Sequence, residues 1–238
     1  MSVSGKMPYP KKYPTWFSYF RKWHRFVHEP GLTLLLAVEI VFVFGIAPLA
    51  SAGELSLGVV SFFQFLIGLV AVGVVSANWE RGVLVIVLLI VGMLTTLENR
   101  QPGAPLHLGL WCAILLFMLV LVGAVGRAVF TTELVSSHRI RGGMVVYLTL
   151  ALLFLAVFVM LETHHPGSFA GISGDSRQQI GQLLYFSLTT LTSTGYGDVL
   201  PLHPLARGLA TFEAVVGQLF IATLFARLIN LHLLTRRS

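Results

Sequence analysis

Gln178–Thr192 reads QQIGQLLYFSLTTLT, and Ser193-Thr194-Gly195-Tyr196-Gly197-Asp198 follows it before the chain continues through Val199-Leu200-Pro201. The first stretch is apolar enough to enter a membrane, yet it falls short of the roughly 20 residues that cross a bilayer core. A short apolar helix that goes in, followed by a glycine-bearing segment that climbs back, is the pattern of a re-entrant loop. Non-helical backbone at that depth is tolerated only where it is buried or lines a polar cavity. A cavity that takes a cation out of water must replace its hydration shell, and closely spaced backbone carbonyls do so. Aiming successive carbonyls at one axis needs dihedrals of alternating handedness, which Gly195 and Gly197 allow at little steric cost. Tyr196 is expected to point away from that axis and brace against Tyr185 and Phe186. Asp198 is expected at the outer mouth, where a carboxylate raises the local cation concentration. The short helix would turn its negative C-terminal end toward the inner cavity.

The rest of the chain agrees with a membrane setting. Of its 238 residues 55% are hydrophobic and only 11% charged, against roughly 25% charged in a soluble domain. Mean hydropathy is +0.82, which argues against a water-soluble enzyme. Besides the re-entrant loop, six apolar runs stand out: Gly31–Leu49, Leu55–Ala77, Gly82–Leu97, Leu106–Phe130, Met144–Leu161 and Leu205–Leu228. The expected fold is therefore an all-α membrane protein with six transmembrane helices and a re-entrant pore helix. Cys112 is the single cysteine, so no intrachain disulfide forms, and in its apolar run it reads as a small hydrophobe.

The net charge of +6 points to the cytoplasmic face of a membrane rather than to nucleic acid. With six spans, 13 Lys and Arg fall on the side of the termini, and only Arg100, Arg177 and Arg207 on the other. The positive-inside rule then puts both termini in the cytoplasm of a multi-pass plasma (inner) membrane protein. Residues 15–28, TWFSYFRKWHRFVH, carry Trp16, Phe20, Trp23 and Val27 on one helical face. They read as an amphipathic helix lying on the lipid surface. No cleavable signal peptide is visible ahead of it.

The run Thr192-Ser193-Thr194-Gly195-Tyr196-Gly197-Asp198 resembles the potassium-channel selectivity filter, written T-T-V-G-Y-G-D. The resemblance extends over the helix before it (YFSLTTLT) and the span after it (ARGLATFEAVVGQLFIATLFARL). It is similar to the prokaryotic branch of the potassium-channel family, with outer helix, pore loop and inner helix over residues 143–230. The resemblance implies that K+ is the conducted ion and that no organic cofactor is needed. It also implies that the carbonyls of Ser193, Thr194, Gly195 and Tyr196, with the Ser193 hydroxyl, line the ion sites. Thr192 and Gly197 would support them, and Gly217 falls where the family often keeps a gating hinge. Ser193 replaces the family's second threonine, keeping the hydroxyl but leaving it more mobile. Thr194 replaces its valine, adding a hydroxyl behind the filter.

One loop per chain cannot encircle an ion, so four copies are needed and a homotetramer is expected. The domain reading is 1–30 cytoplasmic segment, 31–130 four-helix sensor-like domain, 131–142 linker, 143–230 pore domain and 231–238 tail. The fourth run has no basic residue before Arg127 at its cytoplasmic end, so weak or absent voltage dependence is expected. The short tails are not expected to hold a calcium- or nucleotide-binding domain. Any gating then falls to the filter, to lipid, to pH or to a separate regulatory subunit.

Three further features have competing readings. Glu39 and Glu213 are carboxylates inside apolar runs, where an ionised group is costly and functional by default. Glu213 would reach Thr189 or Thr190 behind the loop and is a candidate for gating. Glu39 reads equally well as a packed, hydrogen-bonded group. His164-His165-Pro166 reads as a solvated turn, with a metal or proton sensor as the alternative. Gly171-Ile172-Ser173-Gly174 matches the G-x-S-G of rhomboid proteases, but Ser173 lies in a polar loop rather than at the head of a spanning helix. A non-selective cation pore of the same fold is the nearer alternative.

Overall fold

The computed structural model describes residues 31–75, 78–100, 106–131 and 137–235. The amphipathic segment expected at residues 15–28 lies outside them. Seven α-helices and one small sheet make up the described chain. They are α1 (Gly31–Ser51), α2 (Leu57–Val74), α3 (Asn78–Arg100), α4 (Leu106–Thr131), α5 (Ser137–His164), β1 (Phe169–Ala170), α6 (Ser176–Leu191), β2 (Leu200–Pro201) and α7 (Pro204–Thr235). Five of the six apolar runs of the sequence fall within a helix, and of the run Leu55–Ala77 α2 covers Leu57–Val74.

Four of these helices have segments long and apolar enough to cross a membrane: Gly31–Ser51, Leu108–Arg127, Ile140–His164 and Pro204–Arg227. The apolar part of α2, Gly58–Val74, is shorter. α3 is longer than its 16-residue apolar run because Glu80 and Arg81 at one end, and Glu98 and Arg100 at the other, continue the same backbone ladder. The same reason carries α5 back to Ser137, inside the expected linker, and α7 on to Thr235, past the expected end near Leu228. Hydropathy follows the apolar part of a helix, whereas hydrogen bonding runs past it.

α1 is interrupted by a π-helical turn at Phe42–Ile46, where the Ala47 N–H reaches back to the Phe42 carbonyl. Pro48 follows at once. Proline has no N–H to donate and crowds the carbonyl four residues earlier, and the wider turn absorbs both problems.

Of the four membrane-length segments, that of α5 is the most buried and that of α7 the least. Phe158 of α5, fully buried, is the hub of an aromatic cluster. Its ring centroid lies 5.3 Å from Phe186 of α6 and 5.4 Å from Phe169 of β1. α1 is fastened to α5 at two levels, by contact of Arg141 with Thr33 and by Thr149 against Glu39. At its far end α1 meets α6, where Ser51 Oγ donates to the Gln178 carbonyl at 3.4 Å. A Cβ on Gly181 would lie 2.4 Å from that Ser51 hydroxyl, so the glycine sets how closely the two helices approach.

The segment between α5 and α7 is held as one unit. β1 and β2 pair antiparallel, with Phe169 opposite Pro201 and Ala170 opposite Leu200. The Leu202 and His203 amides both donate to the Ser168 carbonyl, at 2.7 and 3.2 Å.

Candidate functional site

α6 starts on a capping box. Asp175 Oδ1 accepts from the Arg177 and Gln178 amides at 3.0 and 2.9 Å, and Gln178 Oε1 accepts from the Asp175 amide at 3.0 Å. Such a reciprocal cap satisfies donors that the first turn would otherwise strand. This accounts for the stretch Gly171-Ile172-Ser173-Gly174. A Cβ on Gly174 would lie 1.7 Å from Gln178 Oε1, and one on Gly171 1.9 Å from the Asp198 carbonyl. Ser173 is exposed, and its amide donates to Gln182 Oε1 at 2.8 Å. The two glycines therefore serve a turn against the loop beyond α6.

At the other end of α6 the chain changes character. Thr192 closes the helix at φ −81°. Ser193, Gly195 and Gly197 then have φ of +56°, +54° and +82°, while Thr194 and Tyr196 do not share the sign. Ser193 is the one non-glycine residue with positive φ among the described residues, a conformation uncommon for a residue with a side chain. The amides turn back toward α6. Ser193 donates to the Thr190 carbonyl at 2.9 Å, and Thr194 and Gly195 donate to that of Thr189 at 2.8 and 3.3 Å. Among the described residues, no hydrogen bond is accepted by the carbonyls of Ser193, Thr194, Gly195 or Tyr196. Residues 192–198 are all exposed in the single chain. The result is an extended ribbon whose first three amides bond back to α6 and whose carbonyls from Ser193 to Tyr196 are left open.

Side chains brace the ribbon from behind. Tyr196 stacks on Tyr185, with ring centroids 6.1 Å apart and planes 8° from parallel. The Tyr185 hydroxyl faces the Asp198 carboxylate, and Asp198 Oδ1 accepts from the Val199 amide at 3.1 Å. Phe186 points to the other side of α6, into the Phe158–Phe169 cluster, so Tyr196 is braced by Tyr185 alone of the expected pair. The Thr192 hydroxyl donates to the Leu188 carbonyl at 2.8 Å, which leaves Thr194 to donate to Thr192 Oγ1 across 2.9 Å. The hydroxyl that Thr194 introduces is thus absorbed within the loop.

α7 closes the site from the side, and one expectation changes there. Glu213 is fully buried, but its partner is Ser187, whose Oγ lies 2.5 Å from Glu213 Oε1 and 2.8 Å from the Ala151 carbonyl. Thr189 is not available to it, because its hydroxyl donates to the Phe186 carbonyl at 3.0 Å. Glu213 Oε2 has no partner among the described residues. Gly217 lies within α7, at a point where the helix approaches α6 closely. A Cβ there would stand 2.0 Å from the Leu191 carbonyl oxygen. That same oxygen accepts from the Tyr147 hydroxyl of α5 at 3.1 Å. Sequence reasoning missed Tyr147, Ser187 and Gln218, whose Nε2 donates to Ser193 Oγ at 2.9 Å.

Two sites outside the loop are also resolved. Arg127 makes an ion pair with Glu80 of α3, so it has a protein partner besides any lipid contact. His165 stacks on His203, with centroids 5.0 Å apart, beside an open cleft of about 520 Å³. Among the described residues no group of three or more His, Cys, Asp or Glu is placed to hold a metal ion.

Two long apolar helices, α5 and α7, pack around the shorter α6 and the open carbonyl ribbon, and residues 144–232, which span this unit, match the family described as "Ion channel". The chain is 36% identical over 72 residues to the inward rectifier potassium channel Kirbac3.1 of Paramagnetospirillum magnetotacticum, covering 30% of this chain and 21% of that protein. It is 30% identical over 117 residues to Protein LctB of Bacillus caldotenax, covering 45% of this chain and 86% of that protein. No solved structure matches it. The chain belongs to the prokaryotic potassium-channel family. That membership sets it among membrane channels and not among enzymes. It spans about a fifth of the inward rectifier's length.

Proposed function

We propose that the protein conducts K+ passively and selectively across the plasma (inner) membrane as a homotetramer. The carbonyls of Ser193, Thr194, Gly195 and Tyr196, with the Ser193 hydroxyl, form four-fold rings around a dehydrated ion. The observation that carries this reading is the alternation of positive φ at Ser193, Gly195 and Gly197, with amides bonded backward and carbonyls left open. A strand in ordinary β geometry would point successive carbonyls in opposite directions. Alternating handedness turns them the same way, as a row of ion sites requires.

The assembly follows from the same geometry. The ribbon is exposed on one chain, and α7 leaves Phe212, Val215, Leu219, Phe225 and Ile229 bare. These recur at helical spacing and supply the face on which neighbouring copies pack. The six apolar helices span the membrane with both termini in the cytoplasm. Residues 31–130 form a peripheral domain, joined by the 131–142 linker to a pore domain at 143–230. Arg127 is the sole Lys or Arg of α4 and is paired with Glu80. One charge moved through the full field contributes roughly 2.3 kcal/mol per 100 mV, so a steep voltage response needs several per subunit. The channel is therefore weakly voltage-dependent at most. Lipids surround it, nucleic acid has no part, and no organic cofactor is required.

Potassium efflux from loaded liposomes containing the purified protein, compared with sodium efflux under the same gradient, tests the reading. Efflux of K+ well above that of Na+ and above protein-free vesicles is expected. Equal rates would favour the non-selective pore, and no flux of either ion would overturn the channel reading.

A further inference from the structure

Ser193 departs from the threonine expected at its position, and the departure has a partner in α7. A threonine carries a γ-methyl that stiffens χ1, whereas a serine hydroxyl has no such restraint. In this chain Gln218 Nε2 donates to Ser193 Oγ at 2.9 Å. The contact depends on two local features. Ser193 sits at φ +56°, which fixes where its Cβ leaves the ribbon. α7 comes close enough to reach it because Gly217, the preceding residue, has no Cβ to meet the Leu191 carbonyl. Glycine supplies the approach and glutamine the reach. A hydroxyl oxygen has two acceptor sites. The Gln218 amide takes one, and the other remains for a cation.

We infer that Gln218 is a positioning residue for the innermost cation site, holding the Ser193 hydroxyl in the orientation in which its oxygen joins the ring of ion ligands. This rests on the carbonyl ribbon being the cation pathway. Gln218 then does for Ser193 what a γ-methyl does for a threonine. It also ties α7 directly to the innermost ligand, so a shift of α7 at this level changes the cation site without moving the backbone of the ribbon.

The test uses the full chain in planar bilayers, with two readouts. One is the K+ to Na+ permeability ratio from the reversal potential. The other is block by Ba2+ from the cytoplasmic side, since Ba2+ is a divalent probe of nearly the potassium radius. Gln218→Leu keeps the volume and removes the donor. With Ser193 present it should weaken Ba2+ block about two- to tenfold, the worth of one hydrogen bond, and lower the permeability ratio. Gln218→Asn, which withdraws the amide by one methylene, should do the same. With Ser193→Thr, Gln218→Leu should change either readout less than about twofold. No change in the Ser193 background, or equal changes in both backgrounds, would overturn the inference. A wild-type protein that fails to prefer K+ over Na+ overturns the parent reading instead, so the two failures are distinguishable.

Discussion

Replacing Gly217 with alanine is a sharp test of how α7 holds the loop. The added Cβ would lie 2.0 Å from the Leu191 carbonyl oxygen, 3.0 Å from its carbon and 3.1 Å from its Cδ1. A carbon–oxygen contact settles at roughly 3.3 Å or beyond, so α7 and the end of α6 must part by about 1 Å. The obstacle is backbone, and no rotamer change relieves it. Overpacking of this kind costs about 1–3 kcal/mol. Parting the helices also strains the 3.1 Å bond from Tyr147 to the same oxygen, worth about 1 kcal/mol. Against this, alanine gains about 1 kcal/mol over glycine in a helix interior. The net loss is about 1–3 kcal/mol, measured by denaturant or thermal unfolding of the purified protein. Gly126→Ala in α4, where nothing lies within 4 Å of the added Cβ, is the control and should be neutral or slightly stabilising. If Gly217→Ala proves as stable as Gly126→Ala, the close approach of α7 to α6 is wrong.

Gly195→Ala and Gly197→Ala should abolish or degrade selective flux in the liposome assay, because an L-residue in the left-handed region costs roughly 1–2 kcal/mol. Ser173→Ala should leave flux unchanged, and a loss there would revive the protease reading. Ser187→Ala should destabilise the protein by about 1–3 kcal/mol, since it leaves the buried Glu213 oxygen without its donor; an unfolding midpoint equal to wild type would refute that contact. Single-channel recording between about −100 and +100 mV should find an open probability that changes little with voltage. A steep rise would mean that charges other than Arg127 move in the field.

The helices and the loop were legible because their signals are local. Six apolar runs marked the six helices outside the loop, four of which are long and apolar enough to cross a membrane. Gly195 and Gly197 announced positive φ by residue type. Ser193 carried no such signal, because its left-handed φ is imposed by hydrogen bonds from Ser193, Thr194 and Gly195 back to α6. Glu213 stood out as a carboxylate in an apolar run, but its partner depends on the rotation of α6, which places Ser187 toward α7 and turns Thr189 back on its own helix. Gly217 illustrates the same limit. Its sequence position suggested a hinge but carried no sign of the close approach to the Leu191 carbonyl that a Cβ there would obstruct. Tyr147 and Gln218 act across 44 and 25 residues of sequence respectively, and no periodicity within either helix points to such a pairing.

We propose that the carbonyls of Ser193 to Tyr196 hold dehydrated monovalent cations on a four-fold axis. Anomalous diffraction from crystals grown with Tl+, a heavy monovalent analogue of K+, tests it most directly. A row of Tl+ peaks is expected on the axis, each between rings of these carbonyls, with the innermost ring completed by the Ser193 hydroxyls. An axis without such peaks, or peaks clustered at other residues, would contradict it.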